Sequence, residues 1–340
     1  MQVTLIGIDL AKNIFQVCGV NQAGTQVFNK AVKRARLHEF VTRYPEVPIA
    51  MEACSGSNYW GREFIKAGHP VKLIPPRHVK PFVTGNKNDR NDAFAICEAA
   101  RRPRLKTVVP RSEAQTDMMV LHRMRERLVA GRTAMINQTR GFLGEYGIVL
   151  ATGNATLRKA LPDLLEEAEN GLTVQARECL QLLLEEWRGR DEQINRLDKR
   201  IRVQAHNSEA VRRLLPVKGV AELTATAVVA HVGEGKAYRH GRDFSASLGL
   251  VPRENSSGGK QRLGGITKRG NGYLRHLLIQ GAWSILRYAD QSQDRLSRWA
   301  REVATRRGKQ KAVVAVANKL ARILWTLLYH KREYQAFDAC

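Results

Sequence analysis

Residues 3 to 9, VTLIGID, form an apolar run of strand length, and FQVCGV and TQVFNK follow it with the turn-prone NQAG between them. Three strands in succession predict a meander. Leu37, Phe40, Val41 and Tyr44 then recur at i, i+3, i+4 and i+7, which is one face of a helix, and PIAMEA returns to the strand pattern. A helix over about 57 to 68, a short strand VKLIP and an Asp-led helix from Asp89 to Arg101 complete an α/β region.

The period changes from about residue 113, where Leu121, Leu128, Met135 and Phe142 fall every seven positions among polar residues. Leu180, Trp187, Ile194 and Ile201 repeat that interval. Such spacing predicts two long helices on either side of the Gly- and Pro-bearing segment 147 to 172. They fit an antiparallel coiled-coil hairpin, a dimer seam or two core helices of a bundle. Beyond 208, LLPVKGVAELTATAVVAHVG reads as helix, Gly-containing turn and small-residue helix, similar to a helix-hairpin-helix element. In that element, Lys218 and the backbone at Gly219 would face phosphate; an αα-hairpin used only for packing has the same pattern. Helices are predicted from there to the end, around a Gly-, Ser- and Lys/Arg-rich loop at 252 to 272. The organisation expected is 1–110 α/β, 111–207 helical and coiled-coil, and 208–340 mainly helical.

Charge narrows the function. Lys and Arg number 56 against 32 Asp and Glu, a formal net charge of +24 carried by a chain whose 43% hydrophobic content is that of a folded protein. The surplus calls for a polyanion, nucleic acid first and an anionic membrane second. No run of eighteen apolar residues occurs, and MQVTLIGIDL lacks the basic-then-apolar order of a signal peptide, so no membrane and a cytoplasmic, nucleoid-associated location are expected. Cys18, Cys54, Cys97, Cys179 and Cys340 are widely spaced, without a C-x-x-C pair, which argues against a zinc site or a disulfide framework. With aromatics at 6%, a base-stacking platform is not indicated.

Candidate chemistry lies first in the acids. Asp9 ends the first strand and Glu52 ends PIAME; if these strands pair in parallel, both project from the carboxyl ends where ligand sites gather. In NKNDRNDA, Asp89 and Asp92 share one face at a helix start. Each has an ordinary alternative, helix capping for the aspartates and a partnered strand end for Glu52. Gathered together, four carboxylates raise one another's pKa values unless a divalent cation neutralises them, and Mg2+, with Mn2+ as substitute, suits all-oxygen ligands and phosphoryl transfer.

Those residues carry a family pattern. IGIDLAK with Asp9, MEACSGS with Glu52 and NKNDRNDA with Asp89 and Asp92 resemble the DEDD signature of the transposases of insertion-sequence family one-ten, including its eleven-eleven subgroup. The likeness continues through RTAMINQTRGFL, LLPVKGV and FSASLGLVPRENSSGGKQRLGGITKRGNGYLR, nearly the whole chain. It implies an RNase H-like (RuvC-like) N-terminal domain holding metal on those four acids, and a C-terminal transposase domain.

In PRENSSGGK, Gly258 and Gly259 let backbone approach a phosphate, with Arg253, Lys260, Arg262, Lys268, Arg269 and Arg275 around it. From the residues alone, Ser256 and Ser257 would only donate hydrogen bonds. The resemblance implies a serine nucleophile here; Ser257, followed directly by Gly, matches best, and Ser256 is the fallback. Attack on DNA would leave a phosphoserine link and a free 3′-hydroxyl, conserving bond energy without ATP; no G-x-x-x-x-G-K-[ST] string occurs. Further basic runs stand at 101 to 106, 122 to 128 and 301 to 311, as expected for tracking duplex backbones. The resemblance further implies donor and target DNA, a structured bridge RNA that pairs with both, and a homo-oligomer, dimer or tetramer, whose active site draws the two halves from different subunits. Two rival functions fit the residues: a metal-dependent junction resolvase or nuclease using activated water, and a non-enzymatic nucleic-acid-binding protein with structural acids.

Overall fold

The computed structural model describes residues 2–86 and 88–336, which fall into two units divided after Gln115. Cys340 lies outside the described residues.

In the first unit, alternation along β1 (Leu5–Asp9) sends Ile6 and Ile8 into one core and Leu5 into another. β2 (Ile14–Val20) and β3 (Gln26–Lys33) follow antiparallel as the predicted meander, and after α1 (Leu37–Thr42) comes β4 (Ile49–Glu52), parallel to β1. Next come α2 (Ser57–Lys66), β5 (Val71–Ile74) parallel to β4, the single turn α3 (Pro76–Val79) and α4 (Asp89–Ala100), giving a sheet of order β3-β2-β1-β4-β5. Leu37, Val41, Trp60 and Phe64 cover the face with Ile6 and Ile8; Ala93, Ile96 and Cys97 of α4 cover the other.

Gly7 explains how closely α4 lies. A Cβ there would stand 2.6 Å from Cys97 Sγ and 2.7 Å from the Ala93 carbonyl, so only glycine lets the helix settle on β1. Gly7 and Asp9 share a face, and the start of α4 is thereby carried toward the end of β1.

The second unit opens with α5 (Glu113–Glu145), which begins at the unit boundary, then α6 (Asn154–Glu166) and α7 (Val174–Asn207). Arg125 pairs with Asp198 and Arg132 with Asp191, so residues advancing on α5 meet residues receding on α7, and the two helices run antiparallel. Leu180, Trp187, Ile194 and Ile201 are buried as the seven-residue spacing predicts. On α5 the spacing slips: Leu128 and Met135 are buried but Phe142 is 42% exposed, and Leu143 takes the interior position. A straight helix drifts about 20° per heptad, which turns the fourth repeat off the buried face.

Then follow α8 (Glu209–Arg212), α9 (Glu222–Val232), α10 (Gly241–Ser247), β6 (Pro252–Glu254), β7 (Leu263–Ile266), α11 (Gly272–Arg287), α12 (Arg295–Arg307) and α13 (Lys309–His330). The helix expected before the Gly turn at 219 is reduced to the four residues of α8, with turns leading through Pro216. α13 is the one helix among the described residues long and apolar enough to cross a membrane; it buries Val316, Ala317, Leu320 and Leu324 in the core formed with α11. A polar contact links three helices in this unit. His122 of α5 is fully buried, with Nε2 3.1 Å from Thr226 Oγ1 and Nδ1 2.9 Å from the Tyr273 hydroxyl. Thr226 already donates to the Glu222 carbonyl, so it accepts from Nε2–H, and Nδ1 accepts from Tyr273. Burial, with Arg125 and Arg123 nearby, pushes the imidazole down to about 4 and keeps it neutral.

Candidate active site

Parity and register bring the carboxylates together. β1 and β4 pair with Ile8 opposite Met51, so Asp9 and Glu52 occupy neighbouring strand ends, on the face away from Met51 and Ile8 that α4 covers. α4 is capped by Asn88, whose side chain accepts from the Asn91 N–H, leaving Asp89 and Asp92 in the first turn with the favourable helix dipole. Ligand atoms of Asp9, Asp89 and Asp92 all lie within 4.8 Å of one another.

The electrostatics match that crowding. Asp9 is pushed up to about 6, by burial first and then by Asp92, Asp89 and Glu52. Glu52 is raised too, by burial and then by Asp92, which makes it a neighbour of the same cluster. The ordinary readings account for Asp89 and Asp92 at a helix start, but not for strand and helix carboxylates being held together against their repulsion. Three oxygen ligands this close, with a fourth beside them, fit a hard divalent cation that leaves positions for water and phosphate oxygens. Cys54, which sequence reasoning passed over, stands at the same strand end: its N–H donates to the Glu52 carbonyl, and burial, then Glu52 and Asp9, raise its thiol pKa. Its position two residues beyond Glu52 was the available signal.

The serine segment is a β-hairpin, where a loop was expected. β6 and β7 pair antiparallel, and Ser257 to Lys260 form the tip, with Lys260 N–H donating to the Ser257 carbonyl at 3.0 Å. Gly258 and Gly259 both have positive φ, 55° and 73°, the turn whose twist suits a two-stranded ribbon. The two serines are now distinguishable. Ser256 Oγ donates to Glu254 at 2.8 Å and accepts from the Arg262 N–H at 3.1 Å, so its hydroxyl braces the ribbon. Ser257 is exposed at the tip with no such hydrogen bond to its hydroxyl among the described residues.

The surrounding cations divide. Arg253, Lys260, Arg262, Lys268 and Arg269 are exposed. Arg275 instead donates to the Leu248 carbonyl at 2.8 Å, fastening the hairpin's root to α11. Lys218 is held by Ser292 and, at 2.6 Å, by Asp294, and a Cβ on Gly219 would lie 2.5 Å from the Gly281 carbonyl. Both residues thus pack the turn against the α11–α12 region. In the run at 122 to 128, Arg123 pairs with Glu126 and Arg125 with Asp198, so two of its arginines are answered within the chain. Arg101 and Arg102 likewise pair with Glu98.

Comparison with known proteins gives the family. A family model for DEDD transposases of the IS110 type matches residues 6–148, which include all four acids, and one for transposases of the IS116/IS110/IS902 family matches residues 211–297, which include the serine hairpin. A "Probable family 20 transposase" of Pseudomonas aeruginosa is 42% identical over 336 residues, 98% of this chain and 99% of that protein. The transposase for insertion sequence element IS1111A of Coxiella burnetii is 42% identical over 98% of this chain and 92% of its own length. That for IS1328 of Yersinia enterocolitica is 40% identical over 96% of each. The protein is a DNA transposase. More narrowly, it belongs to the IS110 family, with relatives from the IS1111 branch.

Proposed function

We propose that this transposase cuts and rejoins DNA strands through two cooperating parts, a carboxylate-bound divalent cation and a serine nucleophile, with a structured RNA choosing the sites. The observation that carries the reading is the convergence of Asp9, Asp89 and Asp92 within 4.8 Å, with Asp9 held well above the usual carboxylate range. The mixed sheet, three antiparallel strands continued by two parallel ones, supports an RNase H-like (RuvC-like) assignment for this unit. Bound there, Mg2+, or Mn2+ in its place, supplies charge neutralisation at the reacting phosphate.

The chain's own residues do the rest. Asp9, Glu52, Asp89 and Asp92 hold the ion. Ser257 Oγ forms a bond to the scissile phosphorus as the P–O3′ bond breaks; its proton leaves for a base or solvent, and the departing 3′-oxygen gains one, so a 5′-phosphoserine link and a free 3′-hydroxyl result. Reversal onto another 3′-hydroxyl restores the serine and joins the strands. Arg253, Lys260, Arg262, Lys268 and Arg269 carry the phosphates flanking that bond. Partners in this reading are donor and target DNA, a bridge RNA and further copies of the chain in a homo-oligomer, in the cytoplasm with the nucleoid; the +24 charge supports several polyanions at once.

The test is a reaction with both DNAs and the RNA that copurifies, stopped in denaturant. Protein covalently attached to a DNA 5′ end is expected, and is lost in Ser257→Ala. Full strand exchange in Ser257→Ala without an adduct would assign the attack to water and overturn the serine step. Strand exchange surviving Asp9→Asn with Glu52→Gln would overturn the metal site, and protein that works without any copurifying RNA would overturn the guide.

A further inference from the structure

Cations in the second unit are treated in two ways. Along α5, α6 and α7 several are answered within the chain: Arg125 by Asp198, Arg132 and Arg158 together by Asp191, Arg190 by Glu186. On α12 and α13 they are not. Arg295 and Arg298 lie three residues apart on the exposed side of α12, the half-buried Lys319 and the exposed Arg322 are likewise three apart on α13, and none of these four has a carboxylate in ion-pair range among the described residues.

The two helices press these charges together. Lys319 Nζ sits 4.0 Å from the centre of the Trp299 ring, and Trp299 lies one turn beyond Arg295 on α12. Burial, then Arg295 and Arg322, holds the Lys319 ammonium below the usual lysine range, against the weaker pull of Glu302. Like charges gathered without counter-charge oppose the folded state, and an anionic partner reverses the sign of that contribution. Asn318, next to Lys319, donates to the Leu250 carbonyl at 3.2 Å, which ties this surface to the root of the serine hairpin.

We propose that Arg295, Arg298, Lys319 and Arg322 form a docking surface for the phosphate backbone of duplex DNA, additional to the cations of the hairpin. The inference rests on DNA being the substrate and needs neither Ser257 nor the acid cluster. Duplex DNA is favoured over an unpaired strand because Lys319 already covers one face of Trp299 while the rest of that ring packs against the core, so Trp299 offers no base a stacking platform. The four cations sit on two packed helices, a rigid spacing suited to a regular backbone.

Full-length protein should be titrated into a labelled duplex of arbitrary sequence, several helical turns long, over a range of salt. Removing a phosphate contact lowers the slope of log K against log salt by about 0.9, so Arg295→Gln with Arg322→Gln should lower it by roughly 1.8, and adding Lys319→Met by about 0.9 more. Lys319→Arg should restore that last step. The single exposed change Arg298→Gln gives the same readout where the multiple variants melt early. A wild-type slope in both Arg298→Gln and the double variant would overturn the proposal, as would a loss seen with an A-form RNA duplex or a single strand but not with duplex DNA. Ser257→Ala serves as the control: it should keep the wild-type slope while losing the covalent adduct, so failure of this surface and failure of the serine mechanism read out separately.

Discussion

The carboxylates of the first unit and the serine of the second differ in how much of the fold stands behind them. Asp9 is placed by a parallel strand pair, by the contact of α4 with Gly7, and by a helix start capped at Asn88. Ser257 is placed by two short strands, exposed almost throughout, and one side-chain brace at Ser256. Geometry on the acid side is set in the free protein, with the repulsion that this entails; on the serine side it is cheap to move, as a group must be that meets its phosphate only when the substrates are in place.

Substitutions can break that contrast. The largest effect is expected from Asp9→Asn, which should cut strand cleavage on the order of 10³-fold. Because Asp9 sits above its unfolded pKa, its charge at neutral pH opposes folding of the metal-free protein, so the same change should raise metal-free stability by roughly 1 kcal/mol after allowing for partial exposure. A strand-cleavage assay checks the first part and calorimetry with and without Mn2+ the second, and a destabilised metal-free variant would show that the cluster is not strained. Ser257→Ala should abolish the adduct and leave thermal stability within about 0.5 kcal/mol, as an exposed hydroxyl without partners allows. Ser256→Ala should keep the adduct and lose about 1 kcal/mol of hairpin order, a rate loss under about tenfold, read from the time course of adduct formation. An adduct missing from Ser256→Ala but present in Ser257→Ala would exchange their roles. The smallest effect belongs to pH: binding of Mn2+ should weaken as pH falls through about 6, where Asp9 takes up its proton, and titration calorimetry in two buffers should show proton release on binding.

Much of the acid side was legible in the sequence because it follows from parity. Asp9 and Glu52 end apolar runs, Asp89 and Asp92 begin a helix, and parallel pairing of the two runs brings the ends together. What parity does not show is the crossing of α4 over β1, which depends on Gly7 meeting Cys97, ninety positions on. The hairpin was hidden for a different reason: Pro252–Glu254 and Leu263–Ile266 are short, rich in Gly and charge, and cover no core, so no alternation marks them. The roles of Lys218 and Arg275 depend on partners far along the chain, Asp294 for the first and the Leu248 carbonyl for the second, and a basic residue looks the same in a sequence whether or not it is already paired.

His122 gives the second unit a pH response opposite in sign to that of Asp9. Its folded pKa, about 4, lies below the usual 6.5, so the unfolded chain takes up a proton in that window; its contribution to stability is complete above 6.5 and is lost as pH falls toward 4. Asp9, raised to about 6 from 3.8, has the opposite slope: the metal-free first unit gains from acid across that interval. In mild acid and chelator, these two groups therefore act in opposite directions: the one withdraws stability from the helices joined by His122 while the other adds it to the sheet that carries the acids.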